Sequence, residues 1–271
     1  MMWIPPDLTG RTYAVTGGTS GIGRHIAAQL ADAGAHVAVL GRDARQASIP
    51  LDLADLDSVA EAASRLSSLE RLDGLILNAG TNAGKERATT RQGFELAVGT
   101  NHLGHFALTA LTMPLLKSTP GSRVVSIGSI MTRMAAFSPE DLQSEQSYSA
   151  QKAYTQSKHA VSLFAFELDR RLRAAGMNVL SLTAHPGLAV EGMRLRWPIR
   201  GKDLGAQPAV RAAADPAAES GLHYGPRFGT AGKPVVLSAP HISKNSAHAA
   251  GVWDQAERLT GITFDVKAGT R

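Results

Sequence analysis

Short apolar runs alternate with longer amphipathic stripes along this chain, and the alternation predicts its elements. Tyr13-Ala14-Val15-Thr16, His36 to Leu40, Ile49 to Leu53, Leu72 to Leu77, the run opening Arg123-Val124-Val125, Val179 to Leu182 and Pro234 to Leu237 are rich in β-branched and aliphatic residues. Such runs suit strands buried on both faces of a parallel sheet. Between them apolar residues recur three and four apart: Ile22, Ile26, Ala27 and Leu30; Leu56, Val59, Ala60 and Leu66 after a helix-starting Asp55; Phe94 to Leu116; Val161, Phe164, Leu168 and Leu172; and a closing helix from Ala247 to Leu259. The pattern predicts an α/β fold, a doubly wound parallel sheet of about seven strands flanked by helices. With no Pro/Ser-rich linker and no internal repeat, residues 1–271 read as one domain.

Two stretches depart from the pattern. Only Ala44 to Ser48 separates the end of the second strand from the third, too little for a full crossover helix, so this connection should be abbreviated and irregular. From Leu188 to Thr230 the pattern breaks into Pro, Gly and Arg, with Met193, Leu195, Trp197 and Tyr224 interspersed. A loop of that length in a compact fold is functional or disordered, and this one reads as a substrate lid containing some short helices. Its apolar content points to a bulky, largely apolar substrate, although the same residues could merely seal the core.

Composition narrows the field. Lys and Arg number 28 against 23 Asp and Glu, a formal charge of +5. The clusters Arg170-Arg171-Arg173 and Arg194-Arg196-Arg200 lack interleaved aromatics, so solvated surface is expected there and nucleic-acid binding is not. The chain contains no cysteine, which excludes disulfides, thiolate nucleophiles and thiolate metal sites, and no metal site is expected. The opening MMWIPPDLTGR lacks a basic segment followed by an apolar run, and no stretch approaches bilayer-spanning length. A cytoplasmic protein without a membrane partner is the expectation.

The chemistry begins at Thr16-Gly17-Gly18-Thr19-Ser20-Gly21-Ile22-Gly23, between the first strand and the first helix. Gly17 permits a sharp turn, Gly21 lets a ligand approach the backbone, and Gly23 lets the helix pack on its strand. Unpaired N–H groups at the helix N-terminus favour an anion, here a dinucleotide pyrophosphate. At the end of the second strand stands Gly41, then Arg42. An arginine there accommodates a 2′-phosphate, which favours NADP(H) over NAD(H). The competing reading makes Arg42 a solvated loop residue and turns Asp43 back toward the ribose.

Further along, Ser129 follows the fifth strand, placed at the mouth of the crevice beyond the strand ends. Tyr154 and Lys158, four apart, share one helical face. Hydride delivered to a carbonyl carbon leaves charge on oxygen, and a proton donor there stabilises it. A free phenol has a pKa near 10, which a neighbouring ammonium lowers by favouring phenolate. The same spacing occurs at Tyr148 and Lys152. Six residues apart on a helix is about 240° of rotation, so the two pairs cannot both face a cofactor.

The glycine turn, Asn78-Ala79-Gly80, Ser129, Tyr154-Thr-Gln-Ser-Lys158 and His185-Pro186-Gly187 together resemble the short-chain dehydrogenase/reductase superfamily over residues 8–190, and Tyr154-Thr-Gln-Ser-Lys-His-Ala with Phe166-Glu-Leu-Asp-Arg-Arg-Leu is similar to its retinol-dehydrogenase-like branch and bacterial relatives. The resemblance implies a Rossmann fold and an NAD(P)-dependent oxidoreductase acting on a ketone or secondary alcohol. It implies a Ser129–Tyr154–Lys158 triad completed by Asn101, whose counterpart holds a water in a proton relay, and it selects Tyr154 over Tyr148. Thr19, Ser20 and Ile22 would join the glycines around the cofactor. Asp52 and Leu53 would bracket adenine, and Asn78, Ala79 and Gly80 would tie the central strands beside the ribose. Lys158 would also reach the nicotinamide ribose. Pro186 and Gly187 would lie against the nicotinamide. The family's usual threonine after that turn is Glu191 here, a departure from its pattern on the nicotinamide side. His102, His105 and His185 read as structural histidines. Relatives often assemble through the helices corresponding to Phe94–Leu116 and Ser157–Ala175, which leaves a homo-oligomer open. A catalytically silent dinucleotide sensor or scaffold is the alternative on the same fold, though such proteins generally lose the triad.

Overall fold

A computed structural model describes residues 2–133, 136–190 and 200–266. In chain order its elements are β1 (Thr12–Thr16), α1 (Gly21–Asp32), β2 (His36–Gly41), β3 (Ile49–Pro50), α2 (Leu56–Ser67), β4 (Gly74–Leu77), α3 (Leu96–Val98), α4 (Gly104–Ser118), β5 (Ser122–Ile127), α5 (Ala150–Ala174), β6 (Val179–Ala184), β7 (Ala189–Val190), β8 (Arg200–Gly201), α6 (Lys202–Ala214), β9 (His223–Pro226), β10 (Pro234–Leu237) and α7 (Ser246–Thr260). The main sheet runs β10-β9-β6-β5-β4-β1-β2-β3. Its pairs are parallel except β10, which is antiparallel to β9. Strand order reverses between β1 and β4, and in sheets of this kind a ligand crevice opens there, beyond the carboxyl ends.

Alternation along the strands builds two cores. Tyr13 and Val15 of β1, Ile76 of β4 and Val125 and Ile127 of β5 point to the face covered by α1 and α6. Ala14, Leu75, Leu77 and Val124 point to the other face, against α2, α4, α5 and α7. Trp253 of α7 is fully buried there, its ring stacked on Phe164 and Phe264.

The abbreviated connection is a turn, as its length demands. The Asp43 carbonyl accepts from Gln46 N and Ala47 N, its carboxylate accepts from Arg45 N at 3.0 Å and Gln46 Nε2 at 2.7 Å, and Ser48 Oγ meets Val39 N at 2.8 Å.

Three details go beyond the expected elements. The sheet, expected with about seven strands, has eight, because β9 lies inside the stretch read as a lid. That stretch also contains α6, a 13-residue helix packed on α1 through Ala206, Ala209, Val210 and Ala213. Its small apolar side chains, Gly205 and the internal Pro208 hide a helix whose formation depends on packing. Thirdly, the helix expected over Phe94–Leu116 is not continuous. Leu96–Val98 leads into a π-helical turn at Gly99–Leu103 before α4 begins. Such insertions alter which groups face the sheet and are frequent at functional sites.

Candidate active site

The site grows from the end of β1. Thr16 Oγ1 accepts from Asn78 N and Ala79 N, both at 2.9 Å, while Asn78 Nδ2 donates to Thr16 O at 2.9 Å. These bonds fasten β4 to β1 just where the strands part. Gly17 and Gly21 take positive φ values of 64° and 54°. A Cβ on Gly23 would strike Gly17 O and Asn78 Nδ2, so α1 comes this close only through a glycine. Ser20 is the N-cap of α1 with no side-chain capping bond, and half-buried Ile22 packs toward the core under α1. The turn therefore fits a dinucleotide phosphate, with the first N–H groups of α1 available as donors.

Thr19 lies against Gly41: a Cβ there would sit 3.0 Å from Thr19 Cγ2. This contact leaves little room for a side chain at the strand end, and Arg42 is the next, exposed residue. Asp43, its rival, has both carboxylate oxygens engaged within its own turn. Asp52 Oδ1 accepts from Ala54 N at 3.0 Å, and the Leu53 side chain is buried in the core, so Leu53 can offer a ligand only its main chain.

Asn101 falls in the π turn and is fully buried. Its Oδ1 accepts from Thr81 N at 2.7 Å, and its Nδ2 donates to Thr81 O at 3.0 Å and to Ser157 Oγ at 2.9 Å. Ser157 Oγ in turn donates to Tyr154 O at 2.7 Å. A Cβ on Gly80 would lie 3.1 Å from Asn101 Oδ1 and 3.5 Å from Lys158 Nζ, so both groups border Gly80. Ser157, one step before the lysine on the helix, is the partner that sequence reasoning missed; its place three residues after Tyr154 was the available signal.

Lys158 is buried, with Nζ donating to Ile127 O at 3.0 Å. Loss of hydration pushes its pKa down from 10.5 to about 8. Tyr154, one turn earlier on the same face of α5, is half-buried, and among the described residues its hydroxyl makes no hydrogen bond. Ser129 Oγ accepts from Met131 N at 3.2 Å and its carbonyl holds Thr132 Oγ1 at 2.7 Å, which fixes the turn after β5.

The rival pair has another fate. Tyr148 precedes the helix altogether, because Ser149 caps α5 by accepting from Lys152 N at 3.2 Å. The rotation argument for Tyr148 thus fails, since no helix carries that residue. Its hydroxyl donates to Gly84 O at 2.8 Å, and Lys152 Nζ pairs with Asp141 at 2.7 Å.

His102, His105, His185 and His223 are buried packing groups kept neutral by loss of hydration. His105 Nδ1 meets Asn101 O and Nε2 meets Thr16 Oγ1, both at 2.9 Å, and burial lowers its pKa to about 4. His102 sits edge-on to Phe106 and Phe164, lowered to about 3 by burial. His185 stacks on His223, and its Nδ1 accepts from Gly187 N at 3.2 Å. Gly187 is pressed against Thr230, and Leu188 N donates to Thr230 O at 3.0 Å, so Pro186 and Gly187 are braced by the segment after β9. Glu191, Met193, Leu195 and Trp197 lie outside the described residues. Among the described residues no group of three His, Cys, Asp or Glu is placed to hold a metal, and no helix is long and apolar enough to cross a membrane.

Residues 11–194 match the family model described as short chain dehydrogenase. The chain is 34% identical to mouse (Mus musculus) retinol dehydrogenase 14, covering 95% of this chain and 88% of that protein. It is 40% identical over 209 residues to mouse polyprenol dehydrogenase, covering 68% of this chain but only 61% of that longer protein. Among solved structures, an uncharacterised protein from Mycobacterium Paratuberculosis superposes with a TM-score of 0.84 at 36% identity, covering 98% and 100% of the two chains. The Pseudomonas aeruginosa RhlG/NADP complex gives 0.66 at 25% identity, covering 83% and 97%. The chain therefore belongs to the short-chain dehydrogenase family, in its retinol-dehydrogenase-like branch, and is by that membership an oxidoreductase of CH–OH and C=O groups.

Proposed function

We propose that the protein reduces a bulky apolar ketone or oxidises the corresponding secondary alcohol, using NADP(H), with Tyr154 as general acid and base. The observation that carries this reading is the buried Lys158 ammonium, one helical turn from a Tyr154 hydroxyl that no described protein group engages. When bound, the dinucleotide supplies or accepts the hydride. Tyr154 gives its proton to the carbonyl oxygen in reduction and takes one from the alcohol in oxidation. Lys158, with a pKa of about 8, remains mostly protonated at neutrality and holds its charge one helical turn from Tyr154. Ser129 Oγ orients the substrate oxygen toward the phenol. Asn101 and Ser157 hold the helix turn that bears Tyr154, and Lys158 and Asn101 bordering Gly80 form the start of a route by which the phenol is reprotonated.

Arg42 supports the NADP(H) preference, since a guanidinium at the strand end complements a 2′-phosphate and Asp43 is spent on its own turn. The relatives named as retinol and polyprenol dehydrogenases support an extended apolar substrate. The test is NADPH consumption with aromatic, polycyclic and isoprenoid carbonyl compounds, beside direct measurement of NADPH affinity. Turnover of at least one class is expected. Tight NADPH binding with no turnover across the panel would instead identify a silent dinucleotide sensor.

A further inference from the structure

Lys202, the first residue of α6, is far in sequence from the glycine turn, yet its side chain ends beside it. Outside Gly21's own stretch of chain, a Cβ placed on it would meet Lys202 Nζ at 3.8 Å among the described residues. The face of Gly21 open to a ligand is thus bordered by an ammonium. The base of that side chain is held in place by helix packing. Gln29 Nε2 of α1 donates to Asp203 O at 2.8 Å, and Gln207 Nε2 of α6 donates to Gln29 Oε1 at 2.7 Å. α1 therefore carries the N–H groups of the turn and also holds the α6 terminus that bears the cation.

We propose that Lys202 binds the diphosphate of the dinucleotide beside the α1 N-terminus; this rests on reading the glycine turn as a dinucleotide site. The partial positive charge of a helix terminus is shared with solvent, whereas an ammonium adds a full charge and a directed donor. The diphosphate is common to NAD(H) and NADP(H), so Lys202 contributes affinity without choosing between them. That choice falls to Arg42, at the other end of the adenosine.

Kd values for NADPH, NADH, ADP and AMP, measured by titration calorimetry on the wild type, Lys202→Gln and Lys202→Arg, test the assignment. Lys202→Gln should weaken NADPH, NADH and ADP alike, by about tenfold at low salt, as expected for one charge-assisted contact. AMP, which lacks the diphosphate, should change less than about twofold, and the deficit should shrink as salt screens the charge. Lys202→Arg should restore most of the affinity. An unchanged NADPH Kd in Lys202→Gln overturns the assignment, as does a loss confined to NADPH, which would place the ammonium at the 2′-phosphate. An equal loss for AMP also overturns it. A wild type that binds none of the four removes the dinucleotide reading itself, and the assignment falls with it.

Discussion

Tyr148–Lys152 and Tyr154–Lys158 have the same spacing on neighbouring stretches of chain, and they end in different chemical environments. The first pair is divided by the Ser149 cap, with its tyrosine outside the helix on Gly84 O and its lysine paired with the Asp141 carboxylate. The second lies wholly within α5, with its lysine buried against the carbonyl end of β5 and its phenol in no hydrogen bond among the described residues. One lysine is satisfied by an opposite charge. The other is buried with the Ile127 carbonyl as acceptor, and loss of hydration lowers its pKa. A spacing therefore specifies which side chains can be neighbours on a helix; the surroundings decide whether they are reactive.

The largest expected effect breaks the comparison outright if it fails. Tyr154→Phe should lower kcat by about 10³-fold, the scale of a lost general acid, with NADPH Kd within about twofold of wild type. Tyr148→Phe should stay within about threefold in kcat. Steady-state kinetics on both variants checks this, and the reverse ranking would move the site to Tyr148.

Acid should also separate the two surroundings. His102, His105, His185 and His223 have folded pKa values lowered by burial to about 3 to 4, against 6.5 when unfolded. The unfolded chain binds more protons below pH 6.5, so their contribution is complete above that value and is lost as pH falls toward about 4. The slope is about 1.4 kcal/mol per pH unit for each group titrating. Asp141, lowered to about 2 in spite of burial by its bonds to Lys152 and to the Gln146 and Glu145 amides, contributes above about 3.8 and loses that contribution only as pH falls toward about 2. Hydrogen exchange should show the strand ends and α4 opening between pH 6.5 and 4.5 while the Asp141 turn stays closed. Uniform protection over that range would contradict the contrast.

Replacing each lysine by methionine should shift stability in opposite directions. Lys158→Met removes a buried charge and should raise stability by about 1–2 kcal/mol, after the lost bond to Ile127 O is counted, while activity disappears. Lys152→Met leaves Asp141 without its cation and should lower stability by about 1–2 kcal/mol with activity retained. Urea melts and turnover on the same samples settle the signs. The smallest effect concerns a second pair of rivals, Arg42 and Asp43. Arg42→Ala should reduce the NADPH-to-NADH affinity ratio by about tenfold, and Asp43→Asn should leave it unchanged.

Much of the site was legible because local spacing carries it. The glycine turn, Asn78 beside β1 and the four-residue step from Tyr154 to Lys158 are short-range patterns whose geometry follows from a strand end or a helix turn. The abbreviated link after β2 was legible from length alone. The π turn at Asn101 was not, because the apolar stripe of Phe94–Leu116 continues through it and the departure is driven by three bonds to Thr81 and Ser157, distant in sequence. Nor was α6, whose alanines and Pro208 gain their helical state from burial against α1.

The sequence by itself determined the alternation of strands and helices, the glycine turn and the candidate reacting groups, since each depends on residues within a few positions of one another. Only the tertiary structure decided which YxxxK pair lies buried at a strand end, that Asp43 is consumed in its own turn, and that Lys202 arrives beside Gly21. Those outcomes depend on desolvation and on contacts between segments far apart in the chain, and neither quantity is written in local spacing.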